Sequence, residues 1–292
     1  MLRKIRYFIE GVLVKVAYRA FSRMPFEKAS DTGGAWCRRL GPYLSRTRVA
    51  RRNLRQAMPE LNNSQVEDII LDMWEHVGRF LAEFPHMTDI SLENISNILE
   101  IEGMEHLHAV KDMGKGSIFV SGHIGNWELA CRTLALHDFP LFLVYRHGNN
   151  PILDNIIQQT RNHYQPAGFA KGKAGARQLV QAIRERSHVG VLIDQKMNDG
   201  IAVKFFGRNA MTSPAIARIA LRFNCPIVPG RIVRTQGHKM KLIIYPPLEI
   251  QKTGNQEADV LEIMTRINAI IEEWIREFPS QWIWIHNRWP KT

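Results

Sequence analysis

The sequence predicts an α/β fold: a central, mostly parallel mixed sheet flanked by helices on both faces, preceded by a helical, basic N-terminal segment. Three observations predict it. Short apolar runs alternate with helical spacing between residues 117 and 223, the pattern of a parallel sheet covered on both sides. The 292 residues are 45% hydrophobic and 23% charged, a folded balance with length enough for a sizeable core. That balance excludes a disordered chain and a polytopic membrane protein. The net charge of +11 also lies in one place. Residues 1–55 hold 14 Lys and Arg against Glu10, Glu27 and Asp31, while the rest balances 25 basic against 25 acidic side chains. A uniformly basic nucleic-acid domain would not be divided in this way, so an anionic lipid or an acidic protein is the expected partner.

Residues 2–24 start positive and turn apolar, but Glu10, Lys15 and Arg19 interrupt them and no cleavage site follows. No run reaches the ~18 uncharged residues of a spanning helix. Ile5, Phe8, Ile9, Val12, Val16 and Ala20 recur at helical spacing. Two readings fit: an amphipathic helix in the interface of an anionic membrane, or one packed on the domain. The basic run Arg46–Arg55 favours the membrane. Ser64-Gln65-Val66-Glu67 reads as a capping box opening a helix to about Phe84, ended by Pro85. A short helix is expected over Gly103–Met113, a buried strand at 117–121 and a helix over Trp127–His137. A second strand follows at 140–146, then a helix from Pro151 to His163 capped by Asn150. Next come a helix over Lys173–Arg186, a strand at 189–194 and a helix from Ser213-Pro214 to Phe223. Strands at 226–233 and 239–245 are joined by a turn-like RTQGHK that allows an antiparallel pair. A long helix runs over Glu257–Phe278. The chain thus divides into an attachment helix (1–24), a helical cap region (25–100) and an α/β core (101–292).

The strongest chemical signal is Gly122-His123-Ile124-Gly125-Asn126-Trp127-Glu128, directly after the strand at 117–121. Reactive groups collect at the carboxyl ends of strands in open α/β sheets. His123 sits at such an end, and the flanking glycines allow a tight turn. Glu128 falls in the first turn of the next helix and meets His123 only if the loop curls back. A histidine with a carboxylate partner is the general-base unit of acyl transfer. No GxSxG elbow supplies a nucleophile, so the base would activate a hydroxyl of the substrate itself. A loop histidine held in a buried hydrogen bond is the alternative. Cys37, Cys131 and Cys225 lie far apart, read as small buried apolar residues, and fit a reducing cytoplasm. KGKAGAR at 171–177 lacks the nucleotide P-loop pattern, and no histidine spacing suits a metal. Trp282 and Trp284 would share one face of a strand, for core packing or an interfacial aromatic belt.

SGHIGNWELA resembles the His-x4-acid motif of the lysophospholipid/glycerolipid acyltransferase superfamily, and with Glu in the acid position it resembles the late lipid A acyltransferases. YRHGNNPILD at 145–154 and KAGARQLVQAIRERSHVGVLIDQK at 173–196 resemble segments of that family in order and spacing. So do VKFFGRNAMTSPAIARIALRFNCPIVPG at 203–230 and PSQWIWIHNRW at 279–289. The likeness covers about residues 40–290. This chain departs from the family at Asn287, where a basic residue is expected, and in its more charged N-terminal segment.

The resemblance implies transfer of a fatty acyl chain from an acyl carrier protein thioester to a hydroxyl of a lipid A precursor or other lipid acceptor. It implies His123 as base and Glu128 as its orienting partner. Backbone N–H groups around Gly125 and Asn126, with Arg146, would receive the oxyanion. Asp194 would hold an arginine such as Arg177 or simply cap its strand, and Arg177 and Arg208 would bind acceptor phosphates, with surface solvation the alternative for Arg208. No metal and no dissociable cofactor are implied, nor any nucleic acid. The implied place is the cytoplasmic face of the inner membrane, on anionic lipid. A glycerolipid or lysophospholipid acyltransferase is disfavoured by Glu128 and by the lack of a Glu-Gly-Thr-Arg motif after the second strand. An anionic-lipid-binding protein without enzyme activity leaves GHIGNWE unexplained.

Overall fold

The computed structural model describes residues 2–145, 147–166, 168–170 and 173–289. Four helices come first: α1 (Leu2–Phe21), α2 (Phe26–Leu40), α3 (Thr47–Ala57) and α4 (Asn63–Glu83). Then follow β1 (Leu99–Glu102), α5 (Met104–Asp112), β2 (Ser117–Ser121), α6 (Trp127–Leu136), β3 (Leu141–Tyr145), α7 (Pro151–Arg161), β4 (Phe169–Ala170), α8 (Lys173–Arg184) and β5 (His188–Leu192). A hairpin of β6 (Ile201–Phe205) and β7 (Arg208–Thr212) precedes α9 (Ala215–Phe223), β8 (Ile227–Gln236), β9 (Lys239–Ile244) and α10 (Gln256–Glu277).

The main sheet has the order β1-β9-β8-β2-β5-β3-β4. Strands β8, β2, β5, β3 and β4 are parallel; β9 turns back against β8, and β1 runs parallel to β9. This is the expected mostly parallel mixed sheet. Its two faces carry separate cores. Ile118 and Val120 of β2 pack with residues of α8, α9 and α10, while Phe119 between them packs with Leu129 and Leu134 of α6 and with Leu107 of α5. The alternation follows from the two-residue period of a strand. Leu54 of α3 and Ile70 and Trp74 of α4 join the first of these cores.

Several local expectations need correction. The capping box of α4 is Asn62 with Gln65: the Asn62 side chain accepts from the Gln65 N–H at 3.0 Å, and the Gln65 side chain accepts from the Asn62 N–H at 2.9 Å. Ser64 already lies inside the helix. The closing segment is not a strand; it is a loop making one isolated antiparallel bridge between Trp282 and Ile124. Trp282, Trp284 and Trp289 are core residues. Of the cysteines only Cys225 is buried; Cys37 and Cys131 are half-buried because both line a cavity.

Helix α1 packs on the domain along one edge and leaves its apolar face uncovered. Along one edge it meets α7, where Tyr18 Oη lies 3.0 Å from Thr160 Oγ1 and the Tyr7 carbonyl accepts from Asn150 Nδ2 at 2.9 Å. Its apolar face, with Ile5, Phe8, Ile9, Val12 and Val16, is exposed. No described helix is long and apolar enough to cross a membrane. Helices α2 and α4 cross closely because glycines face each other there: a Cβ on Gly78 would lie 2.1 Å from the Gly33 carbonyl oxygen.

Candidate active site

Parallel strands β2 and β5 end side by side, with Ser121 registered on Leu192. Two residues further on each chain stand His123 and Asp194, so the sheet register brings them together. His123 Nδ1 lies 2.8 Å from Asp194 Oδ1, and the His123 backbone N–H donates to Asp194 Oδ2 at 2.8 Å. The Trp282 indole N–H donates to the same Oδ2 at 2.6 Å. Asp194 is buried. Burial pushes its carboxyl up, but the His123 ring, the backbone N–H and the indole outweigh this and hold it well below the usual carboxylate range. An ionised Asp194 keeps the proton on Nδ1 and leaves the lone pair on Nε2. Gln195 places its side-chain nitrogen 3.2 Å from that Nε2, as a donor to the lone pair. The imidazole packs edge-on against Trp127, with ring centroids 5.1 Å apart.

Glu128 does not meet His123. It is buried, paired through Oε1 with Arg161 Nη2 and accepting through Oε2 from Arg161 Nε at 3.1 Å and Tyr164 Oη at 3.0 Å. Burial and the negative Glu128 push the Tyr164 phenol up, which keeps it a donor. The expected His123–Glu128 contact is therefore replaced by His123–Asp194. Five residues along the chain, the start of a helix turns Glu128 away from the loop.

Gly125 has a φ of +59°, and a Cβ there would lie 1.8 Å from the Ile232 carbonyl oxygen, so both its conformation and its close approach require glycine. Its N–H donates to the Gln281 carbonyl at 3.1 Å and is not available to an oxyanion. Asn126 is also committed. Its Oδ1 caps α6 by accepting from the Leu129 N–H at 3.1 Å, and its Nδ2 donates to Glu83 Oε2 at 2.7 Å. Glu83 is fully buried, also accepts from Ser30 Oγ at 2.6 Å and from Arg234 Nη2 at 2.9 Å, and is ion-paired with Arg234 Nη1 at 2.8 Å. One helical face of α4 thus grips the loop twice, because His76 Nε2 lies 3.1 Å from the Gly125 carbonyl. Burial, helped by the Arg234 charge, lowers the His76 pKa to about 3, so the imidazole is neutral and its Nε2–H donates.

A cavity of about 810 Å³ reaches His123. Its walls are largely apolar, with Phe119, Leu134, Leu141, Val191 and Ile244 among them, and Glu128, Arg161 and Gln195 supply polar groups. Neither Arg177, exposed on α8, nor Arg208, at the start of β7, lines it. Asp194 holds His123 rather than Arg177. Arg146 lies outside the described residues. Gln195, Arg161, Tyr164, His76 and Glu83 are neighbours of the site that the sequence did not single out, and Trp282 was read there only as a packing or interfacial residue. Only Gln195 carried a signal, as the residue after the acid at a strand end.

The geometry is that of an imidazole oriented by a buried carboxylate and opening on an apolar chamber. A family model described as bacterial lipid A biosynthesis acyltransferase matches residues 1–291. The lipid A biosynthesis palmitoleoyltransferase of Escherichia coli (strain K12) is 24% identical over 252 residues, covering 85% of this chain and 80% of the relative. The lauroyltransferase of the same organism is 24% identical over 249 residues, 83% and 78% of the two chains. A phosphatidylinositol mannoside acyltransferase of Mycobacterium tuberculosis (strain ATCC 25618 / H37Rv) is 22% identical over 289 residues, 94% and 85%.

Proposed function

The chain belongs to the bacterial lipid A biosynthesis acyltransferase family, and on that premise we propose that it moves a fatty acyl chain from an acyl carrier protein thioester to a hydroxyl of a lipid A precursor. The observation that carries this is the Asp194–His123 pair, which points an unprotonated Nε2 toward a chamber of apolar side chains. The acceptor hydroxyl displaces the Gln195 amide from Nε2 and gives its proton to it. The acceptor oxygen attacks the thioester carbonyl carbon, and the carbonyl electrons move onto its oxygen. Collapse of the tetrahedral intermediate breaks the carbon–sulfur bond. The sulfur leaves with the proton from His123, yielding an ester and a free thiol. The displaced Gln195 amide, beside Nε2, is a side-chain donor for the oxyanion, and the first-turn N–H groups of α6 carry the positive end of a helix dipole. Glu128, fixed by Arg161 and Tyr164, shapes the chamber wall beside the base.

The acyl chain occupies the apolar part of the cavity, where its burial contributes roughly 0.8 kcal/mol per CH2. The exposed apolar face of α1 and the basic first 55 residues hold the enzyme on the cytoplasmic face of an anionic inner membrane, each basic residue near the surface contributing roughly 1 kcal/mol. Thioester-dependent transfer to a lipid acceptor in detergent micelles tests the chemistry. Folded His123→Ala should lose transfer, and near-wild-type kcat in that variant would overturn the base assignment.

A further inference from the structure

Val14, Tyr18 and Phe21 from α1, Trp36 from α2 and Leu81 from α4 line the cavity, and the exposure of Val14, Trp36 and Leu81 puts a mouth on this side. Beyond this rim the apolar surface continues. Trp36 is 67% exposed, and Leu40, Tyr43 and Leu44, at four, seven and eight residues' distance, are 58%, 87% and 53% exposed. That spacing runs along one side of α2 and into the turn after it. Single exposed apolar residues are ordinary, but a contiguous group marks a surface that something covers. Arg39, Arg46 and Arg48 flank it, exposed and without an ion-pair or hydrogen-bond partner among the described side chains. Indole and phenol rings beside unpaired arginines form the combination that settles at the headgroup level of a bilayer. Of the seven tryptophans, Trp36 alone is exposed; five are buried and Trp127 is half-buried.

We propose that residues 36–44 form a second contact with an anionic lipid surface, set across the cavity mouth from α1, so that the mouth faces the bilayer and the lipid acceptor enters from it. This rests on the reading of α1 as a membrane-attached helix. Two contacts on either side of the opening fix the tilt of the enzyme, which a single amphipathic helix leaves free. A chain of the lipid acceptor then passes from the bilayer to the protein between Trp36, Leu81 and Val14 without crossing water, while the transferred acyl group still comes from the thioester.

The test uses the full chain and vesicles of phosphatidylglycerol and phosphatidylcholine whose acyl chains carry bromine near the headgroup end. Wild-type tryptophan emission should be quenched on binding, and vesicle-bound Trp36→Phe should lose that quench. Replacing Trp36 and Tyr43 together by serine should weaken vesicle binding at least about tenfold, since two large side chains lose their apolar burial. A chain that binds vesicles with its Trp36 emission unquenched overturns the second contact and leaves α1 attachment standing. A chain that binds neither anionic nor neutral vesicles overturns both. Unchanged vesicle affinity with a raised KM for the thioester donor in the serine variant overturns the proposal as well, and makes the surface a docking site for an acidic carrier protein.

Discussion

Whether His123 can take a proton depends on which of its nitrogens already holds one, and Asp194 settles that. Asp194→Asn keeps the shape but presents an amide to Nδ1, which favours the wrong tautomer. We expect kcat to fall by about 10²–10⁴-fold with KM nearly unchanged, read from steady-state kinetics. Glu128→Gln acts differently. It leaves the half-buried Arg161 without its counter-charge, and breaking such a pair costs up to about 3 kcal/mol, which urea unfolding would measure. Its kcat loss should be smaller than that of Asp194→Asn; a larger loss would return the orienting role to Glu128. The histidine at the strand end was legible in GHIGNWE as the proposed base. Its partner was not, because His123 and Asp194 are 71 residues apart and meet only through the β2–β5 register. Reading the motif alone favoured the nearest acid in sequence. Gly125 and Asn126 were legible as a special turn. Their bonds to Gln281 and Glu83 were not, since nothing local in α4 or the closing segment marks a residue that grips a distant loop.

At the level of elements, the helices with strong start signals were readable, and α7 began where Asn150-Pro151 placed it. The β6–β7 hairpin was missed because its turn lacks the usual residues. Phe206 and Gly207 take φ values of 52° and 68°, the two positive angles of a hairpin turn that normally asks for Asn-Gly or Asp-Gly. Phe206 is held there by burial among Phe205, Trp284 and Trp289. The α2–α4 crossing depends on missing side chains. Gly78→Ala would drive a methyl group into the Gly33 backbone, and we expect a loss of about 1–3 kcal/mol in urea unfolding, as for other overpacked contacts. Wild-type stability in that variant would show that the two helices can separate freely. For α1, attachment through exposed charges predicts that vesicle binding weakens as salt rises, because surface attraction is screened within about 10 Å at ~0.1 M. Resistance to both high salt and alkaline carbonate would show a spanning segment instead.

For the molecule as a whole, acid should be destabilising in two stages. His76 is neutral in the fold, its pKa lowered from 6.5 to about 3, and burial lowers that of His188 to about 4. Above pH 6.5 these histidines are neutral whether folded or not and cost nothing. Below it the unfolded chain takes up protons that the fold refuses, so stability falls, for His76 by up to about 1.4 kcal/mol per pH unit. Asp194 works in the other window. Its carboxyl is depressed in the fold, so its contribution is complete above the ordinary value near 4 and is lost as the pH drops further. Unfolding midpoints between pH 7 and 5 should therefore decline more steeply for wild type than for His76→Asn; parallel lines would mean that His76 is protonated in place. The indole bond from Trp282 to Asp194 sets a further order in time. The two residues are 88 positions apart, and at roughly 5–20 residues per second a ribosome needs on the order of 4–18 s to travel from one to the other. Helix α1 has left the ribosome long before. A nascent chain stalled ahead of Trp282 should already sediment with membranes and yet transfer nothing, which would place attachment before activity.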